Sequence, residues 1–412
     1  MHLSQNFPRP LPKHPVTSST DRAVWKSGRK CRYLNRSKTY THAMGKYNQD
    51  KRVVLTLDAG GQSFRFNAMK GEEFILETLV LPSHADNLDR CLESLRSGFS
   101  QVAAQLGDIR PSAISFAFPG PADYPAGIIG GYLPNFPAFR EGVALGPFLQ
   151  EQFGIPVFIN NDGDLFAFGE ALSGALPAVN ARLEALGSRK RYRNLIGYTI
   201  GTGFGVGCVI DGRLNRGDNS CVETFCLPNP FHPGVILEDS VSIRAVQRVY
   251  RHLSGENESG LTPKDIFDIA EGRLPGDRQV ACKAFGKMGR AAGQAIATAA
   301  QLMDGLVVIG GGISASAKYF MPALLEEMRG TVQTLSGDTL GRLQMKVYNL
   351  DDEAEFAAFA RGEARELKVY GTDKTVTYDP QKRIGVCIDA MGTSKAISVG
   401  AYDFALSELD GD

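Results

Sequence analysis

The sequence predicts an α/β protein built in two lobes, and two observations carry that expectation. From Arg52 onward, short apolar runs rich in β-branched residues alternate with longer stretches whose apolar residues recur at three and four spacing. The chain has 412 residues, 43% of them hydrophobic and 22% charged, which is globular composition with length for about two to three domains of usual size. Basic and acidic side chains number 45 each, so no net charge draws the chain to nucleic acid or to an anionic membrane surface. No apolar run reaches the roughly 18 residues needed to cross a bilayer, and no charged start leads into an apolar signal core. The seven cysteines are scattered and form no C-x-x-C pair, so they read as reduced thiols of a cytoplasmic protein.

The elements follow in order. Residues 1–51 are expected to be a disordered basic extension: the first 50 hold ten Lys and Arg against Asp21 and Asp50, four prolines between Pro8 and Pro15, and the only tryptophan, Trp25. Three explanations compete for it: a basic tail, an organelle transit peptide, or an upstream extension of a reading frame that starts at Met44. Without that segment 35 basic side chains face 43 acidic ones. Strands are expected at 53–57 and 74–81, a helix at 88–106, strands at 113–118 and 157–159, and helices at 164–173 and 177–186. A strand starts at Leu195 and turns at Asp211-Gly212, residues that tolerate positive φ. Helices at 240–253, 263–269 and 278–303 precede a strand at 306–309. Extra length lies between Thr331 and Arg383, with an acidic helical piece at 351–365 and a hairpin at 368–386.

Four segments could carry chemistry. Leu57-Asp58-Ala59-Gly60-Gly61-Gln62-Ser63 sets a carboxylate at the end of an apolar strand before two glycines; it is a plain turn, or a loop that meets a phosphate and holds Mg²⁺. In Gly201-Thr202-Gly203-Phe204-Gly205-Val206-Gly207 the alternating glycines, taken as one strand, leave a whole face bare, for tight packing or for a ligand. Gly310-Gly311-Gly312 follows a strand and precedes a helical segment, where backbone N–H groups can serve a turn or receive a nucleotide phosphate. In Asn160-Asn161-Asp162-Gly163-Asp164, Asp162 or Asp164 is either an N-cap or a cleft carboxylate that accepts the proton of an attacking hydroxyl. The spacings of the dinucleotide fingerprint and of the P-loop are both absent.

Taken together and in order, these motifs resemble the ROK family of sugar kinases and regulators. The resemblance runs from Arg52 to Leu406 through Asp58-Ala-Gly-Gly, Phe118-Pro-Gly-Pro-Ala122, Pro134-Asn135, Asn161-Asp162, Gly201 to Gly207, Gly310-Gly-Gly-Ile-Ser314 and Gly400-Ala401. It implies a two-lobed actin-like (ribonuclease H-like) ATPase fold with the active site in the interlobe cleft. An N-terminal lobe at 52–165 would be joined by a C-terminal helix at 398–412, and a larger lobe would span 166–397 with an insertion near 331–385. It further implies Asp162 as general base, Asn135, Asn161, Glu223 and Glu238 as sugar ligands, and Asp58, Gly60, Gly61, Gln62, Gly201, Thr202, Gly203, Gly311 and Gly312 at the nucleotide.

The activity implied is ATP-dependent, Mg²⁺-assisted phosphorylation of a glucose-like hexose or N-acetylhexosamine at O6, by a chain that the family suggests is a homodimer. Alternatives are a sugar-responsive regulator, which needs a DNA-reading helix pair that the first 50 residues do not supply, and a noncatalytic sugar-binding protein. The chain departs from the family in three ways. Gln62 stands where a Thr is usual, and the stretch 331–385 is long. Between Glu223 and Glu238, where many members bind zinc through one His and three Cys, only Cys221, Cys226 and His232 are near, with Cys226 in place of the His; no zinc is expected.

Overall fold

In the computed structural model, residues 45–255 and 260–411 are described. Residues 1–44 of the basic segment, Trp25 and Met44 among them, thus lie outside the described residues. The body begins earlier than expected, because Tyr47 is buried against Val54, Met69 and Tyr402.

Six strands form the first sheet: β1 (Val54–Ala59), β2 (Ser63–Lys70), β3 (Glu73–Phe74), β4 (Leu79–Pro82) and, after helix α1 (Leu88–Gln105), β5 (Ala113–Ala117). A small ladder of β6 (Ala122–Asp123) and β7 (Ile128–Ile129) and helix α2 (Leu145–Phe153) then lead to the sixth, β8 (Val157–Asn160). The order is β3-β2-β1-β5-β8, with β4 also on β2. β2 runs antiparallel to β1, while β1, β5 and β8 are parallel. Strand β2 was not expected from the sequence. It forms because Phe64, Phe66 and Ala68 fall on one face at period two and bury against α1, with Phe66 edge-on to Phe99 at 5.0 Å. The expected strand at 74–81 keeps only its ends, as β3 and β4.

The second sheet repeats the plan. After α3 (Asp162–Leu172) and α4 (Ala175–Ala185) come β9 (Leu195–Ile200), β10 (Phe204–Ile210) and β11 (Arg213–Leu214). Helices α5 (Glu238–Val241), α6 (Ile243–Ser254), α7 (Pro263–Glu271) and α8 (Arg278–Met303) lead to β12 (Leu306–Gly310) and α9 (Ala317–Met328). The remainder is β13 (Thr331–Gln333), β14 (Thr339–Gly341), β15 (Lys346–Asn349), α10 (Glu353–Arg361), β16 (Arg365–Lys368), β17 (Thr375–Tyr378), β18 (Arg383–Ile388) and α11 (Thr393–Asp410).

Strand order here is β11-β10-β9-β12-β18-β15: an antiparallel pair at one edge, then parallel strands, as in the first sheet. Alternation splits each strand between two cores. Ile196, Tyr198, Val307 and Ile309 face α6 to α9, while Leu195, Leu306 and Val308 face α3, α4 and α10. Among the described residues no helix is long and apolar enough to cross a membrane.

Several expectations are corrected. The segment 201–207 is not one strand: residues 201–203 turn between β9 and β10, closed by Gly201 N–H donating to the Gly203 carbonyl at 3.0 Å, so the four glycines do not share a face. The helix expected at 240–253 breaks at Ser242 into α5 and α6. The late hairpin pairs β16 with β17, and Val386 belongs instead to β18 inside the sheet. The turn at Asp211-Gly212 is as expected, with φ of 51° and 80°.

Helix α3 is held unusually close on both sides. A Cβ on Gly207 of β10 would run into the Gly163 carbonyl and come within 2.7 Å of the Ala167 Cβ, and Gly169 meets Gly400 of α11 backbone to backbone. We therefore expect Gly207→Ala to push α3 off the sheet and cost about 1–3 kcal/mol, the usual range for overpacking. A thermal melt checks it, and an unchanged melting temperature would contradict this packing.

Candidate active site

The first turn of interest joins β1 to β2. Gly60 N–H donates to the Ser63 carbonyl at 3.1 Å, and the Ser83 hydroxyl donates to the Gly61 carbonyl at 2.6 Å, which fixes the loop around Gly60, Gly61 and the exposed Gln62. Asp58, at the end of β1, is exposed and has only a loose partner, Arg65 at 3.8 Å. Asn135 backs the loop: a Cβ on Gly61 would lie 3.2 Å from the Asn135 Cβ.

Strand β8 ends at Asn160, and the next residues start α3. The helix cap is Asn161, not Asp162 or Asp164: its Oδ1 accepts from Gly163 N–H at 2.7 Å and Asp164 N–H at 3.1 Å. With the cap already filled, Asp162 is free for other work at the first helical position. Its Oδ1 accepts from Gly163 N–H at 2.9 Å. Asp162, Asp58, Gly60, Gly61 and Asn135 line one cleft of about 440 Å³, together with Lys395 of α11. By area Asp162 is open to that cleft, yet protein crowds it closely, and this desolvation raises its pKa, opposed by the Gly163 N–H and reinforced by Asp58.

On the other side of Asn161 stands Glu223, whose Oε1 accepts from the Asn161 amide at 3.1 Å while its Oε2 is buried without a partner. Burial first, then the nearby Asp164 and Asp162 charges, push its pKa up to about 8. Burial likewise raises Asp164 to about 7, opposed by Arg216, which donates to Asn160 Oδ1 at 2.8 Å. Glu238 has other duties. Its Oε2 accepts from Phe204 N–H and its Oε1 from Arg244, each at 3.0 Å, so it braces the turn Gly201-Thr202-Gly203 from below. Like Asn161 and Glu223, it is not among the residues lining the cleft.

The third turn lies against the second. Gly311 has φ of 96° and packs on the backbone of Ile200, Ile313 N–H donates to the Ile200 carbonyl at 3.3 Å, and Gly312 is open to solvent. Gly311 N–H donates to Thr393 Oγ1 at 2.7 Å, and that hydroxyl donates to Asp389 Oδ2 at 3.0 Å. Sequence reasoning missed this pair, although Ile388-Asp389-Ala390-Met391-Gly392-Thr393 carries the signal that marked Asp58, a carboxylate ending an apolar strand before a glycine. It also missed Arg216 and Lys395.

Cys221 Sγ donates to the Asn219 carbonyl at 3.0 Å, and Cys221, Cys226 and His232 are all exposed. Among the described residues no three His, Cys, Asp or Glu side chains come together as a metal site.

Comparison with known proteins gives these arrangements a context. The family model described as ROK family matches residues 54–347. A solved structure of glucokinase from Parabacteroides distasonis ATCC 8503 is 56% identical, with a TM-score of 0.82, over 88% of this chain and 99% of that one. Glucokinase from Thermotoga maritima is 26% identical over 304 residues, 68% of this chain and 87% of its own length. A ROK family glucokinase from Streptomyces griseus, solved with glucose and AMPPNP, shares the fold at a TM-score of 0.57 and 19% identity, over 86% of this chain and 99% of that one.

The raised pKa of Glu223 has a thermodynamic consequence. Its folded value of about 8 exceeds an unfolded glutamate's, about 4.3, so between these the folded chain binds more protons and stability falls as pH rises. Glu223→Gln keeps an acceptor for Asn161 but cannot ionise. We expect the variant to match its parent near about pH 5 and to melt higher near about pH 9. A constant difference in melting temperature across that range would refute the burial argument.

Proposed function

The chain belongs to the ROK family and has its two-lobed actin-like ATPase fold, and from that premise we propose that it is a hexokinase of the glucokinase type, using ATP and Asp162 as general base. The observation that carries the proposal is the position of Asp162: a carboxylate released from helix capping, in the same cleft as Asp58 and the Gly60-Gly61 turn, one residue from the amide that holds Glu223. The coarser reading, a sugar kinase, has the support of glucokinase relatives, including one 56% identical.

In the proposed reaction the sugar O6 hydroxyl gives its proton to the Asp162 carboxylate as O6 attacks the γ-phosphorus. The bond from that phosphorus to the β-phosphate bridging oxygen breaks, giving the hexose 6-phosphate and ADP. Glu223 Oε2, buried and unpartnered, suits a sugar hydroxyl, to which it donates while protonated and from which it accepts once ionised. Asn161 spends its oxygen on the cap and one amide hydrogen on Glu223, so only its other amide hydrogen remains for a sugar, and Asn135 stands across the cleft. Backbone N–H groups of Gly61 and Gln62, of Thr202 and Gly203, and of Gly312 are the groups offered to the nucleotide, since those of Gly60, Gly201 and Gly311 already donate within their own turns or to Thr393. The exposed carboxylate of Asp58 fits Mg²⁺, which takes one or two carboxylates and keeps water, and when bound the ion neutralises phosphate charge. A glucose-like hexose or an N-acetylhexosamine is the proposed substrate class, and no zinc is assigned a role.

Asp162→Asn preserves size and removes the proton acceptor. In an ADP-release assay over a panel of hexoses we expect kcat to fall by about 10² to 10⁴ while sugar affinity and melting temperature stay near the parent's. Near-normal turnover would remove Asp162 as the base. Because burial raises the Asp162 pKa, the acid limb of kcat/KM should lie above the ordinary aspartate value of about 3.9; a limb at or below it would contradict the crowding of the cleft.

A further inference from the structure

Away from the cleft, the loop before α5 and the faces of α6 and α8 enclose a second cavity of about 530 Å³ that shares no residue with the first. Among the described residues its charged lining is all of one sign. Arg248, Lys287 and Arg290 project to it with the imidazoles of His232 and His252, the wall includes the thioether of Met288, and no described Asp or Glu contributes. Among the described residues no ion pair engages Lys287 or Arg248, whose guanidinium donates only to the Asp239 carbonyl, while Arg290 has long pairs at 3.8 Å to Glu327 and 4.0 Å to Glu326. A volume suited to a small metabolite, cationic groups from two helices and an apolar wall together call for an anion that carries an organic part.

We propose that this cavity is a second ligand site, for a small phosphomonoester, distinct from the site of phosphoryl transfer. The phosphate dianion meets Lys287 and Arg248, and its organic portion lies on the Met288 side. The site is wired to the 201–203 turn through α6. Arg244 and Arg248 are one turn apart on that helix and hold Glu238 and the Asp239 carbonyl respectively, and Glu238 in turn holds Phe204 N–H at the end of the 201–203 turn. The first residue of α6 is also tied to that turn, since Ile243 N–H donates to the Gly201 carbonyl at 2.9 Å. An anion that draws Arg248 away from Asp239 therefore loosens a support of the turn.

The test is calorimetric titration of the full chain with glucose 6-phosphate and, separately, with inorganic phosphate, without ATP or free sugar, so that its outcome does not depend on the proposed kinase activity. Lys287 is exposed and outside the catalytic machinery, so Lys287→Glu should fold and keep basal turnover. We expect a class of binding in the parent and in Asp162→Asn that weakens by about tenfold or more in Lys287→Glu, as removal of a charged hydrogen-bond donor implies. Tighter binding of glucose 6-phosphate than of inorganic phosphate assigns the organic part to the cavity; equal binding overturns that part and leaves a phosphate site. Identical titrations of parent and Lys287→Glu overturn the site itself. For the coupling, added inorganic phosphate should change the sugar KM of the parent and not of Lys287→Glu, and an equal response in both would overturn it.

Discussion

The site depends on how closely helix α3 can approach its neighbours. Helices and sheets ordinarily stand about 10 Å apart because side chains separate them. Here the separation is cut by glycine: Gly207 sits under Gly163 and Ala167, Gly197 under Phe166 and Ala167, and Gly169 faces Gly400 across the α11 crossing. The far end of α3 is pinned by polar contacts. The Ser173 hydroxyl lies 2.7 Å from Asp403 Oδ2 and 2.9 Å from Glu72 Oε1, two carboxyls whose pKa values burial raises. A helix fixed at both ends in this way cannot slide, so the first-turn carboxylate of Asp162 is set by the packing of the whole element rather than by its own side-chain contacts. That is the condition for positional catalysis, where a shift of about 1 Å is expensive.

Electrostatically the first turn of α3 and the adjoining Glu223 are overloaded with acid. Burial raises the pKa of Asp162, Asp164 and Glu223; the Asp162 charge adds to the rise of Asp164, both aspartates add to that of Glu223, and among the causes acting on Asp164 only Arg216 works in the other direction. Such an arrangement costs stability in the free protein and makes sense if a polyhydroxylated ligand supplies the missing donors. Glu223 Oε2 is the clearest case, a buried carboxylate oxygen with nothing to accept from. Glu238 differs in kind, since both its oxygens already serve Phe204 and Arg244, and it acts on the site chiefly by shaping the turn above it.

What the sequence revealed and what it concealed have physical reasons. Asp58, Asn161-Asp162 and Gly310 to Gly312 were legible because each ends an apolar strand with a residue type that a plain strand does not need. The stretch 201–207 misled because alternating glycine satisfies both a bare strand and a tight turn, and only the pairing of Phe204 with Ile200 decides between them. Strand β2 escaped notice because its alternation, Phe64-Arg65-Phe66-Asn67-Ala68, begins directly after the loop and holds only three apolar residues, one of them a small Ala. The N-cap passed from the aspartates to Asn161 for a reason that spacing cannot show: Asn offers its oxygen to the helix and its amide to Glu223, 62 residues away. Arg216 was invisible for the same reason, as its partners Asn160 and Asp164 meet it only in space.

The two sheets place these residues by one shared rule. In parallel strands all carboxyl ends fall on one edge, and helices that follow them begin there with unpaired N–H groups. Asp58 lies one residue from the end of β1, Asn161-Asp162 follow β8, Gly311-Gly312 follow β12, and Asp389 follows β18, so residues from remote parts of the chain arrive at the carboxyl ends of the strands. The antiparallel partner in each sheet adds what a parallel strand cannot. A tight turn follows the first strand directly, at 60–62 in one sheet and 201–203 in the other, and each puts backbone N–H groups at that edge without the length of a crossover. Phosphate recognition by backbone demands no particular side chain at these turns, only glycine-sized clearance. A Gln at position 62 is thus compatible with the same loop, whose closure runs through Gly60 and Ser63 and leaves the side chain at 62 exposed.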